Sequence, residues 1–299
     1  MDNKDRKNGI GGSDIPVILG LSSFKTPYKL YMEKKGDAVT DIDPSIKNRL
    51  ELGNLLEPFV IKLFEQQENT IVTRRQEKLT HPEHDFLWGT IDGVCENNII
   101  EVKTTVSINR AWKTGVPSYV LAQCIYYAHL ANAAGFKVIA YDRDTDQAPR
   151  VYSFVRDGEI EKEIIIKAVE FWHNVQNGIE PPAINYQEMQ QKFNNVSQGK
   201  VIVATTDDMA AIQEMVALDA ELKQMEKRRE ELKVKICDHL GDAASMVDEL
   251  GNPLVTWNQR KTSRLSIDML KEIAKDIYDK CKITTTTRNF SLKHSNQWR

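Results

Sequence analysis

The sequence predicts an α/β fold, a central mixed sheet flanked by helices, with a helical and hairpin appendage behind it. Three observations carry that prediction. Helical and strand-like stretches alternate through roughly the first 180 residues. The strand-like stretches are apolar on both faces, as strands covered from both sides are. The segment Gly178-Ile179-Glu180-Pro181-Pro182 then breaks the pattern, and one long, highly charged helical stretch dominates the remainder of the chain.

The elements run in order. Gly9-Ile10-Gly11-Gly12-Ser13-Asp14 is a glycine-rich turn that opens a short apolar helix running to Leu19, with Ser13 or Asp14 as its N-cap. A helix over Lys25 to Lys35 begins at Thr26-Pro27, where proline suits a first turn. Residues 46–67 are helical by period, with Leu52, Leu55, Leu56, Phe59, Val60, Leu63 and Phe64 recurring at steps of three and four. Strands are expected near 71–76, 86–95 and 98–105, the last two joined by a hairpin turn at Asn97-Asn98. A helix follows Pro117 and runs to about Ala133. Strands at 137–141 and 150–155 and an amphipathic helix over 159–176 complete the first domain, which we bound at residues 1–200. The accessory module, residues 201–299, holds a helix over 207–240, a two-stranded unit turning at Gly251-Asn252, and a basic tail. From Thr256 onward that tail has ten Lys/Arg against four Asp/Glu.

Composition narrows the function classes. No run of the 299 residues reaches the apolar length of a membrane span, and the first residues have no signal-peptide character. Cys95, Cys124, Cys237 and Cys281 form no Cys-x-x-Cys pair. That speaks against a zinc ribbon or a disulfide framework and for a reducing cytoplasm. A formal net charge of −3 does not by itself indicate nucleic acid, so any DNA groove draws on a few cations such as Arg49, Arg74, Arg75, Arg110 and Lys113.

The chemistry concentrates between Thr90 and Lys103. Glu101 and Lys103 are two apart on one strand and therefore share a face. The hairpin brings Asp92 beside them. Two carboxylates and a lysine then meet in a small volume, which is oxygen-ligand chemistry suited to Mg²⁺ with a cation left to hold water or phosphate. Asp92 and Glu101 can bind one metal ion, with the backbone carbonyl of Val102 nearby and Glu57 helping to complete a second site. Lys103 beside the metal-bound water can orient or deprotonate it, since a nearby metal lowers a lysine's pKa. The competing reading is a surface hairpin with a solvated Glu and Lys.

Three further positions have two readings each. Glu57 borders the apolar face of its helix and is either a surface residue or part of the acidic site. Gln123 lies among small and apolar residues, with Tyr119 one turn before it and Tyr126 and Tyr127 one turn after. It is either a buried hydrogen-bonder in a packed seam or a site residue. The Gly-Gly-Ser turn ending at Ser13 is a plain helix start or a cradle of N–H groups for phosphate, with Arg6 and Lys7 just upstream.

The ordered set Gly11-Gly12-Ser13-Asp14-Ile15 with Leu19-Gly20, Leu52-Gly53, Leu56-Glu57-Pro58, His81-Pro82-Glu83, Asp92-Gly93, Glu101-Val102-Lys103-Thr104 and Gln123 resembles the YqaJ family of phage recombination nucleases. These are relatives of lambda exonuclease in the PD-(D/E)XK superfamily. The resemblance covers roughly residues 1–180, and Ile91 stands where the superfamily name places proline. It implies a PD-(D/E)XK core and Mg²⁺-dependent digestion of double-stranded DNA from a 5′ end, with Mn²⁺ as a substitute and two ions at the site. It implies a 3′ overhang passed to a single-strand annealing protein, a ring-shaped trimer, no membrane association, and a phage or prophage protein in a bacterial cytoplasm. By motif position Asp92 and Glu101 are metal ligands, Lys103 is the catalytic lysine, and Glu57 is a further acidic ligand. Gln123 supports the nucleophile or the substrate, and Ser13 with Arg6 anchors the 5′-phosphate. Two rivals stay open: an endonuclease on the same core, and a catalytically silent DNA-binding scaffold.

Overall fold

A computed structural model describes residues 7–36, 44–106, 110–145, 147–197, 199–283 and 288–292. The chain divides into two compact units, Met1–Lys192 and Phe193–Arg299. The first contains α1 (Ile15–Ile18), α2 (Pro27–Lys35), α3 (Pro44–Glu68), β1 (Glu77–Thr80), β2 (Trp88–Ile91), β3 (Gly93–Cys95), β4 (Asn98–Thr105), α4 (Ser118–Ala131), β5 (Gly135–Asp142), β6 (Arg150–Val155), α5 (Gly158–Asn177) and α6 (Tyr186–Lys192). The second contains α7 (Thr206–Leu240), β7 (Ser245–Val247), β8 (Pro253–Thr256), α8 (Ile267–Ile273) and α9 (Lys275–Cys281).

The main sheet has the order β3-β4-β5-β6, with β4 and β5 parallel and the other pairs antiparallel. The parallel pair requires a crossover, and α4 provides it. Successive residues of β4 serve opposite layers. Ile99 packs into the core with Val120, Cys124 and Ala128 of α4, and Ile100 packs with Val60, Ile61 and Phe64 of α3. The mixed sheet between helices is the architecture that the sequence predicted.

Three local expectations shift. The hairpin turn lies at Glu96-Asn97, one residue earlier than expected, because Cys95 pairs with Asn98 and both turn residues take positive φ. Such a two-residue turn matches the twist of its strands. The strand expected near 71–76 is a single bridge at Thr73, since Arg74 and Gln76 adopt positive φ and the strand starts at Glu77. The run 86–95 divides at Asp92, so β2 pairs with β1 while β3 pairs with β4. On α3 the buried face is Val60, Ile61 and Phe64, while Phe59 is half exposed and meets the Tyr141 ring edge-on.

The turn before β2 is held by a directional chain of imidazoles. The Glu83 N–H donates to His81 Nδ1 at 3.1 Å, which places the His81 proton on Nε2. His81 Nε2 faces His129 Nε2 at 3.4 Å, and His129 Nδ1 meets the Glu161 carboxylate at 3.2 Å. Arg156 forks onto the same carboxylate. The His81 ring stacks between His84 and His129. Burial, then the neighbouring His129 and His84, push the His81 pKa down, with Glu83 opposing. The fold therefore holds neutral His81, while the unfolded chain protonates at the ordinary imidazole value. Stability is lost as the pH falls below that value towards the depressed one. Thermal unfolding between roughly pH 8 and 5 should show this acid loss, and His81→Gln should flatten it. An unchanged slope in the variant would assign the acid sensitivity to other groups.

Candidate active site

The hairpin places the acidic residues by backbone register. Gly93 pairs with Ile100, so Asp92 stands across from Glu101 just where β3 leaves the sheet. There the Val102 N–H donates to Asp92 Oδ2 at 2.7 Å, and the side chain takes over the bond that β3 no longer supplies. Glu101 is 3% exposed on the central strand. Two residues on, Lys103 projects from the same face, and its ammonium donates to Glu101 and, at 3.4 Å, to Gln123 Oε1. Gln123 in turn donates from Nε2 to the Tyr127 hydroxyl at 3.2 Å, one turn along α4. The chain Glu101–Lys103–Gln123–Tyr127 thus links strand to helix. The surface-hairpin reading does not survive the burial of Glu101, and Gln123 is a hydrogen-bonder that stands beside Lys103.

Glu57 joins from α3. Its Oε1 accepts from Gln76 Nε2 at 2.6 Å, and its pKa is raised by burial and by Glu101, against Gln76 and Lys103. Pro58 follows it inside α3 and supplies no N–H to the preceding turn. Burial, then Glu101 and Glu57, raise Asp92 well above the usual carboxylate range. Burial alone would lower Lys103, but Glu101 and Asp92 outweigh it and the net direction is upward. The low-titrating lysine expected from the sequence supposes a metal ion beside it, and without one the carboxylates hold the proton on Lys103. Lys103 stays an ammonium donor. Cys124, buried beside the same carboxylates, has its thiol pKa pushed up, first by burial and then by Glu101, so it is an inert neighbour.

The glycine-rich turn stands on the other side of Tyr127. A Cβ on Gly12 would lie 2.2 Å from the Tyr127 ring, and one on Gly89 would lie 2.3 Å from it. The ring is therefore held between two backbones that only glycine allows. The Tyr126 hydroxyl meets the carbonyls of Ile10 and Trp88, both at 3.1 Å, tying the turn to β2. Ser13 is exposed in a short 3-10 turn, Gly12–Asp14, and is not the N-cap. Asp14 takes the capping interaction instead. Its carboxylate accepts from Gly11 N at 3.0 Å and from the buried Lys34 ammonium at 2.6 Å. Arg6 lies outside the described residues. Of the cations proposed for a groove, Arg74 pairs with Glu77, and Arg75 with Glu65 at 2.6 Å.

Sequence reasoning missed the support of this site. Gln76, Gly89 and Lys34 had no motif to mark them, and their partners Glu57, Tyr127 and Asp14 come from distant segments. The His81-Pro82-Glu83 stretch was visible only as part of a resemblance.

Residues 3–134 match the family described as the YqaJ-like viral recombinase domain. Over that segment the chain resembles a YqaJ-like recombinase domain. Along nearly its whole length the chain is similar to the uncharacterized protein YqaJ of Bacillus subtilis (strain 168), at 28% identity over 303 residues, 97% of this chain and 92% of that protein. The alkaline exonuclease LHK-Exo of Laribacter hongkongensis superposes with a TM-score of 0.50 at 18% identity, over 59% of this chain and 92% of its own. The fold is the PD-(D/E)XK type.

The hairpin carries charge that the fold alone does not stabilise. An Asp92 pKa raised on folding means that metal-free protein loses stability as the pH rises through the carboxylate range. Asp92→Asn keeps an oxygen for the Val102 N–H and removes the charge. In chelator at neutral pH it should raise stability by about 1 kcal/mol, read as an increase in Tm. A lower Tm in the variant would show that the Asp92 charge is satisfied without a metal.

Proposed function

We propose that this chain is a divalent-metal-dependent exonuclease that digests double-stranded DNA from 5′ ends and leaves 3′ overhangs for a single-strand annealing protein. The observation that supports it best is the buried meeting of Asp92, Glu101 and Lys103 at the end of the hairpin, inside a YqaJ-like domain. The ring-shaped trimer of the resemblance belongs to the same proposal.

The donor set fits a hard cation. Burial and the neighbouring carboxylates raise the cost of ionising Asp92 and Glu57, and a bound Mg²⁺ or Mn²⁺ would remove that cost. Among the described residues no three acidic, imidazole or thiol groups stand together so as to hold an ion by themselves, so a bound ion would need water or phosphate oxygens as well. That suits Mg²⁺, which keeps several waters and uses few carboxylates. Asp92, Glu101 and the Val102 carbonyl would hold one ion, with Glu57 contributing towards a second. Bound there, the metal would activate water and neutralise charge on the phosphate. The protein's own groups do the rest. Lys103, kept charged by Glu101 and aimed by Gln123, donates a hydrogen bond to the attacking water or to a phosphate oxygen as charge builds in the transition state. Tyr127 fixes the Gln123 amide, and the Gly-Gly-Ser turn offers N–H groups and the Ser13 hydroxyl to a terminal phosphate, with Arg6 adding charge.

Linear and covalently closed circular duplexes, digested with and without EDTA, test the reading. Linear DNA alone should be degraded, and only with metal. Cutting of circles would make the chain an endonuclease, and silence on both would make it a scaffold. Glu101→Gln and Lys103→Ala should each reduce kcat at least about a hundredfold while DNA binding persists. Full activity in Lys103→Ala would remove the lysine from the mechanism.

The end-recognition part has its own test. Ser13→Ala combined with Arg6→Ala should reduce the preference for 5′-phosphorylated over 5′-hydroxyl duplexes by roughly ten- to a hundredfold, the loss of charge-assisted hydrogen bonds worth about 1.5–3 kcal/mol. An unaltered preference would leave Ser13 as an ordinary turn residue.

A further inference from the structure

Within the second unit, α7 is a 35-residue helix, about 52 Å long, that begins in a capping box formed by Thr205 and Asp208. Its apolar residues repeat at alternating steps of three and four. Met215, Leu218, Leu222, Met225, Leu232 and Ile236 take successive a and d positions of a heptad, with Arg229 at the remaining a position. These six side chains are between 39% and 65% exposed. A sustained a/d seam on a long helix is built to pair with another helix.

The charges beside the seam say which one. At the flanking e and g positions Glu214, Asp219, Glu221 and Glu226 are all acidic, while Arg228, Lys233 and Lys235 are all basic. The helix dipole favours such an arrangement only in the first and last turns, and these charges span the middle. Arg228 and Lys233 meet Glu231 and Glu230 along the helix, but those contacts are exposed and weak. In a parallel, in-register pair each g position faces the next e position of the other helix. That sets Glu214 on Asp219, Glu221 on Glu226 and Arg228 on Lys233, every pair of like sign. Reversing one helix sets g against g, which puts Glu221 on Arg228 and Glu214 on Lys235.

We propose that α7 pairs antiparallel with α7 of a second copy of this chain. In the register that opposes these charges, Leu222 lies against Met225 of the second copy and Met215 against its Leu232. Asp219 and Glu226 remain as a like-charged flank. Arg229 answers it, three residues from its own Glu226 and opposite Leu218, next to Asp219, of the second copy. That gives the one charged seam residue a partner, and a polar group in a seam selects register. Whatever order the first units adopt among themselves, this pairing doubles it.

The test is the mass of the full-length protein by sedimentation and light scattering over a wide concentration range. Leu222→Glu, which places a charge in the central layers, should halve the mass with helix content retained by circular dichroism. Glu221→Lys and Arg228→Glu should each weaken association roughly tenfold, and the double exchange should restore it. These exposed charge variants leave the helix intact, so they decide the matter even if Leu222→Glu loses structure. Association strengthened by either single exchange indicates a parallel pair and overturns the proposal. A mass indifferent to all of these substitutions overturns it as well.

Discussion

Burying the Glu101 carboxylate on a central strand is the constraint around which the first unit is arranged. A lone carboxylate there is costly, and a single ammonium answers it only in part, because Lys103 must itself be desolvated. The remaining elements share the load. Gln123 of α4 directs the lysine, Asp92 takes the N–H that the sheet leaves open, and Glu57 of α3 adds a third carboxylate in place of relief. The arrangement is stable without being neutral. That residual imbalance is what a hard cation, as proposed above, would relieve.

Packing and chemistry share the same helix. α4 is at once the crossover joining two parallel strands, the wall of the larger core and the carrier of Gln123 and Tyr127. Because the Tyr127 ring fills the space left by Gly12 and Gly89, the glycine-rich turn and the lysine are linked through one rigid residue. The imidazole chain at His81 then fixes the far end of α4 through His129 and Glu161. Displacement of α4 would disturb the turn, the lysine and the sheet together.

Much of this was legible in the sequence, for identifiable reasons. Period-two and period-three-to-four patterns report burial directly, so the order of strands and helices was readable, as was the shared face of Glu101 and Lys103. The turn residue was misplaced by one because Glu96 is not a residue that composition marks for positive φ. Of the two caps that residue type allowed, Ser13 and Asp14, the structure uses Asp14, which also meets Lys34 twenty residues away. The low-titrating Lys103 expected from the sequence rests on a metal ion, which the pattern of residues alone does not place. Motif logic assumes a metal beside the lysine, whereas the carboxylates act on it first. Long-range partners such as Gln76 and Glu161 leave no periodic trace, so only the fold could reveal them.

The two-residue turn at Glu96-Asn97 has a consequence for how the chain folds. Hairpins with such turns close within microseconds, because little of the chain must be ordered. Asp92 and Glu101 therefore meet early, while water still surrounds both. The parallel pairing of β4 with β5 closes a far longer loop and waits for α4 to dock. It is at this later step that the carboxylates lose their water. The penalty for burying the two carboxylates then falls on the slow part of folding, and it becomes a barrier on the pathway as well as a weakness in the finished protein.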